Sequence, residues 1–92
     1  MEPFDAEYLE RLKNGDPETE EDFAGHFRKL VTRVRAHRSW PDIPDDVWED
    51  GLRRVLSAVR KGIFDQPSKL VPFSLGVLRN VRLEFLRRSR SS

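Results

Sequence analysis

Between Phe73 and Phe85, the apolar residues Phe73, Val77, Leu78, Val81 and Phe85 recur at intervals of three and four. At 100° per residue they form one continuous stripe along a helix, and such a stripe is buried only by packing against other elements. The partners on offer are also helices. Phe23, Phe27, Leu30, Val31 and Val34 repeat the pattern, as do Leu52, Val55, Leu56 and Val59 behind either Val47 or Trp48. No run alternates with period two and no Asn-Gly hairpin occurs, so strands have no support. The expectation is an all-α fold, a small bundle of four helices. It forms one domain over residues 1–90, with 91–92 as a tail or the start of a linker.

Local signals divide the helices. Asp5 is an N-cap for a short first helix, with Tyr8, Leu9 and Leu12 buried and Gly15 as its stop. Asp16-Pro17 restarts the chain, Asp as cap and Pro at the first helical position, where its missing N–H costs nothing. The segment SWPDIP at 39–44 is a turn by its two prolines. Asp45 and Asp46 then open a third helix at the positive end of its dipole, and Lys61-Gly62 closes it. Residues 63–66 read as a loop. Ser68 is the candidate cap of the last helix, which Pro72 is expected to kink or restart.

The outer face of that last helix carries chemistry. Arg79, Arg82, Arg87 and Arg90 fall opposite the apolar stripe, Asn80 sits at the seam, and Leu75, Leu83 and Leu86 lie among the arginines. Arginine neutralises phosphate, asparagine reads a base edge, and apolar side chains support unstacked bases. By periodicity alone such a helix is most often a solvated helix on a core, and it can also lie on a membrane or a partner. Charge is segregated along the chain behind a net charge of only +1. Residues 1–25 hold nine acids against Arg11 and Lys13. Residues 69–92 hold six bases against Glu84, and 42–50 hold five acids and no base. Separate surfaces for separate partners are expected.

Several classes are excluded. There is no Cys, hence no disulfide framework and no thiolate zinc site, which fits a reducing cytoplasm. His26 and His37 lack the spacing of a zinc helix, and Asp45–Asp50 lacks the ligand pattern of a calcium loop, so no metal or cofactor is expected. No phosphate loop or nucleophile elbow occurs, and an enzyme has no residues to nominate. No apolar run reaches the ~18 residues of a membrane span. Asp46, Glu49, Asp50 and Arg53 recur at helical spacing beside Trp48. They read either as a protein-contact face or as helix-capping acids beside a core Trp.

Three motifs in order carry a resemblance. YLERLKNGDPETEEDFAGHF is similar to the leading helices, DDVWEDGLRRVLSAV to the polymerase-binding helix, and FSLGVLRNVRLEFLRR to the promoter-reading helix of one family. That family is region 2 of sigma-70-type bacterial RNA polymerase sigma factors, of the extracytoplasmic-function group. The resemblance spans residues 5–90. It implies a transcription initiation domain that binds core RNA polymerase at the beta-prime clamp coiled coil. It also implies capture of the non-template strand of the −10 promoter element as the duplex opens, with an anti-sigma protein as a further partner. The implied polymerase contacts are Asp46, Trp48, Glu49, Asp50, Leu52 and Arg53. The implied DNA contacts are Phe64, Asp65, Ser68, Lys69, Phe73, Arg79, Asn80, Arg82, Arg87 and Arg88, with Asn80 on a base edge and the arginines on phosphates. Departures concentrate in the polymerase helix. Glu49 stands for the usual Gln, Asp50 for Glu, Gly51 for an apolar residue and Leu52 for Phe, and Phe73-Ser74 replaces a common Trp-Leu. A contrasting expectation is a sigma-like interaction domain, an adaptor or anti-sigma decoy without promoter recognition.

Overall fold

The computed structural model describes residues 4–37 and 43–91. Four α-helices run in the order α1 (Ala6–Lys13), α2 (Pro17–His37), α3 (Asp45–Arg60) and α4 (Leu70–Ser91), with a 3₁₀ turn at Pro67–Lys69. No strand occurs among the described residues, so the all-α expectation holds. The expected turn at 39–44 lies mostly outside the described residues, as do the side chains of His37 and Arg90.

The caps follow local chemistry. Asp5 accepts a 2.8 Å bond from the Tyr8 amide at the head of α1. Asp16 accepts from both the Thr19 amide (3.0 Å) and the Thr19 hydroxyl (2.6 Å) at the head of α2. These two bonds hold the Asp16 carboxyl below the ordinary Asp range. Gly15 and Gly62 end α1 and α3 with φ of 76° and 69°, a left-handed conformation that side-chain-bearing residues seldom adopt. Pro72 neither kinks nor restarts the last helix, because α4 begins earlier, at Leu70. Pro72 therefore falls in the first turn, among amides that have no intrahelical acceptor. Ser68 is not its cap; it lies exposed within the 3₁₀ turn that feeds the helix.

Ion pairs fix the helix directions. Arg60 near the end of α3 bonds Glu20 near the start of α2, while Glu49 near the start of α3 accepts from Arg28 farther along α2 at 3.2 Å. Arg54 of α3 meets Glu84 of α4, and Gly51 approaches Val77 and Val81. The end of α3 (Ser57, Lys61) shares a groove with Phe73 near the start of α4, and its start (Asp46, Val47) shares another with Phe85 and Arg88 near the end of α4, so both α2 and α4 are antiparallel to α3 and parallel to each other. The short α1 packs against α3 and the 3₁₀ turn. The core runs through Leu12, Phe27, Val55, Val59, Leu70 and Leu78, with Phe4 and Ile43 closing it from outside the helices. At 22 residues, α4 is about 33 Å long, and beyond Phe85 it outruns the core.

Gly51, one of the departures in α3, is buried where three helices meet. A Cβ there would stand 3.5 Å from Phe27 Cζ, 3.5 Å from Val81 Cγ2 and 3.7 Å from Val77 Cγ1, all ordinary contacts. Alanine therefore fits, and it removes the ~1 kcal/mol that glycine costs inside a helix. Gly51→Ala is expected to raise the melting temperature by roughly 4–8 °C. Gly51→Leu should lower it by overpacking. A melt of both variants checks the pair, and an unchanged Gly51→Ala would mean the helices shift to refuse the methyl.

Candidate nucleic-acid interface

The turn after α3 places aromatic and cationic side chains together. Gly62 reverses the chain, Ile63 donates its amide to the Ala58 carbonyl at 3.2 Å, and the backbone then returns through the 3₁₀ turn into α4. This brings Phe64 and Phe73 into contact, ring centroids 5.1 Å apart and tilted by 44°. Both rings are half-buried. Beside them a shallow groove is lined by Arg53, Arg54, Ser57, Lys61, Ile63 and Phe73. Ile63 is 63% exposed, unusual for a large apolar side chain in so short a loop. Of the cations lining it, Arg53 and Lys61 make no ion pair among the described residues. An apolar floor with unneutralised cations at its edge suits a base above and a phosphate beside it.

Helical spacing divides the expected DNA contacts among several surfaces. Asn80 and Arg87 lie seven and fourteen residues after Phe73, on the same flank of α4 and toward the groove. Phe64, Asp65, Ser68 and Lys69 approach from the preceding loop and 3₁₀ turn. Arg79 points outward, exposed. Arg82 is half-buried and lies about 160° round the helix from Asn80, facing α2. Arg88 lines a different recess, with Asp46, Asp50, Arg53 and Glu84, between the start of α3 and the end of α4. By helical angle Phe73, Asn80 and Arg87 share a flank that excludes Arg82, and of these Phe73 lines the groove itself.

The expected polymerase contacts also separate. Trp48 and Leu52 are 5% and 7% exposed and belong to the core, so their part is to hold α3 in place. Asp46 and Arg53 are exposed. Glu49 and Asp50 are half-buried and already engaged by Arg28 and Arg54.

Arg54 was not legible as a site residue. Its guanidinium bonds both oxygens of Glu84 across the helix interface, at 2.6 and 2.8 Å, and Asp50 one turn back at 3.0 Å. The bonds from Arg54 hold the Glu84 carboxyl below its usual value, against some desolvation, with help from the charges of Arg54, Arg88 and Arg87. The bonds to Glu84 push the Arg54 guanidinium further up. A lowered carboxyl gives stability that is complete above the usual value of 4.5 and is lost as pH falls through the lower folded value. Glu84→Gln, which imitates the protonated acid, is expected to be less stable at pH 7. Its urea midpoint should converge with the native one under acid, and parallel curves would contradict the pairing.

Among the described residues no three His, Asp or Glu side chains gather to hold a metal, and no helix is long and apolar enough to cross a membrane. The class defined is a four-helix all-α protein with a cation-edged aromatic groove. No protein-family model matches the chain, and no curated protein or solved structure is significantly similar to it.

Proposed function

We propose that this chain is a transcription initiation domain of the sigma-70 region 2 type. In this reading it docks on core RNA polymerase through the exposed start of α3 and holds the non-template −10 strand in the groove between α3 and α4. The observation that carries the reading is the Phe64–Phe73 pair beside a groove edged by the unneutralised Lys61, with Asn80 on the same helical flank as Phe73. Flipping a base out of a duplex costs a few kcal/mol of stacking, and a paired aromatic ledge can return it. The order of the three resembling motifs supports the same assignment. It locates the polymerase contact at Asp46, Arg53 and the outer edges of Glu49 and Asp50. No step requires a cofactor.

The reading is tested by titrating the chain against the isolated clamp coiled coil of the beta-prime subunit. Saturable, salt-sensitive binding is expected, weakened about ten-fold or more by Asp46→Lys, which breaks no ion pair seen in the fold. The assembled complex should then prefer one single-stranded sequence. Absence of clamp binding by the native chain would overturn the polymerase assignment. A second reading, a sigma-like interaction domain without promoter recognition, is favoured by one observation, the prior engagement of Glu49 and Asp50 by Arg28 and Arg54. It requires that every strand bind with equal affinity.

A further inference from the structure

The faces of α2 and α4 that do not pack on α3 leave a second groove, on the far side of α4 from Asn80. The two helices run parallel and barely meet, so the space between them stays open. Its floor is Phe23, Phe27, Leu30 and Val71, and its rim carries Lys29 and Arg33. Leu75, one turn beyond Val71, extends the apolar line and is 42% exposed. Lys29 and Arg33 make no ion pair among the described residues, whereas nearby His26 lies 3.4 Å from Asp22. Besides the rim cations, the polar side chains lining it are His26 and Ser74, and the Ser74 hydroxyl donates to the Leu70 carbonyl at 2.8 Å.

From this chemistry we infer that the groove between α2 and α4 is a docking site for an amphipathic helix of a partner protein, one whose apolar face is bordered by acids. Two parallel helices already supply two walls of a bundle, and a third helix with apolar residues at i, i+3, i+4 and i+7 completes it. Charge selects the acidic kind, because Lys29 and Arg33 would stand over its borders. A second copy of this chain is disfavoured by the same charges, as two-fold pairing of the groove would set Lys29 and Arg33 against cations of the copy. A nucleic-acid strand finds less here than in the first groove, because the Phe4, Phe23 and Phe27 rings that line it are only 5%, 3% and 2% exposed and offer no face for a base to stack on. The inference stands apart from the proposed function, which uses the opposite flank of α4.

The test uses a fluorescein-labelled helical peptide of about twenty residues, with leucine on one face and glutamate along both borders, and a twin carrying lysine for glutamate. The intact chain is titrated with each. The glutamate peptide is expected to bind saturably and about ten-fold or more tighter than its twin. Leu75→Glu should abolish that binding, and the pair Lys29→Glu with Arg33→Glu should reverse the preference. All three substituted positions are solvent-facing, and unchanged helicity and melting of each variant confirm that it is folded. Equal binding of the two peptides, or indifference to either variant, overturns the inference. So does failure of the glutamate peptide while an anionic vesicle or a short single strand protects Val71 and Leu75.

Discussion

Under the proposed function, replacing Phe64 and Phe73 together by leucine should remove most of the chain's affinity for single-stranded DNA in the polymerase complex while leaving the fold in place. Stacking one base on an aromatic ring is worth ~1–3 kcal/mol by substitution, which is roughly five- to 150-fold in affinity. The two rings form one ledge, 5.1 Å between centroids, so the double variant should lose about 100-fold if each serves a base. Leucine is the informative replacement. Both rings are half-buried, and alanine would also open a void, whereas leucine keeps apolar bulk and discards the π-face. Two neighbours calibrate the result. Arg79→Ala should weaken all strands alike and reduce the salt slope by ~0.7, the value for one phosphate on a single strand. Asn80→Ala should flatten sequence preference with a smaller change in overall affinity. A leucine double variant that binds at native strength would remove the groove from the DNA path.

Much of this fold follows from local chemistry, and what does not is long-range. Asp5, Asp16 with Pro17, Gly15 and Gly62 mark helix ends through bonds within a few residues, and each performs the expected role. The stripe on α4 is legible at its centre, where Val77, Leu78 and Val81 are buried, and less so at its ends, where Phe73 and Phe85 are half-buried. Ser74 is the opposite case. A polar residue gives no hydrophobic signal, yet it is 2% exposed because its hydroxyl is satisfied one turn back. The link between Arg54 and Glu84 spans thirty residues, and only its Asp50 half has the i, i+4 spacing that a sequence displays. Glu84, the lone acid in a basic helix, was the available hint.

The candidate site divides along the same line. The residue types on α4 are readable, and so is the angle separating Asn80 from Arg82, which already divides the basic face into two flanks. The groove itself is not readable. It exists because Gly62 turns the chain so that the end of α3 meets the start of α4, setting Lys61 and Ile63 beside Phe73. Two segments unremarkable alone become a site by tertiary contact. The same holds for Trp48 and Leu52, whose types suit an interface as well as a core and which packing assigns to the core.

Leu70→Ala is expected to be the most damaging single core change for the groove. Leu70 is fully buried at the point where the 3₁₀ turn becomes α4, and its carbonyl accepts the Ser74 hydroxyl. Truncating a buried leucine costs ~2–5 kcal/mol in transfer and cavity terms. A chain of this length has about 5–14 kcal/mol of total stability, so a large fraction would go. The melting temperature should fall by roughly 10–30 °C. Leu83→Ala, on the same helix but 40% exposed, should change it little. The loss should be uneven in its consequences. The 3₁₀ turn rests on α1 and leads directly into the helix that carries Phe73, so the segment 61–69 should exchange its amides faster than the middle of α3 does. Single-strand binding should then weaken below the melting temperature, because the aromatic ledge depends on a turn that Leu70 pins. If Leu70→Ala lowers the melt but leaves strand binding intact in the cold, the ledge is held by the Phe64–Phe73 contact itself rather than by the core beneath it.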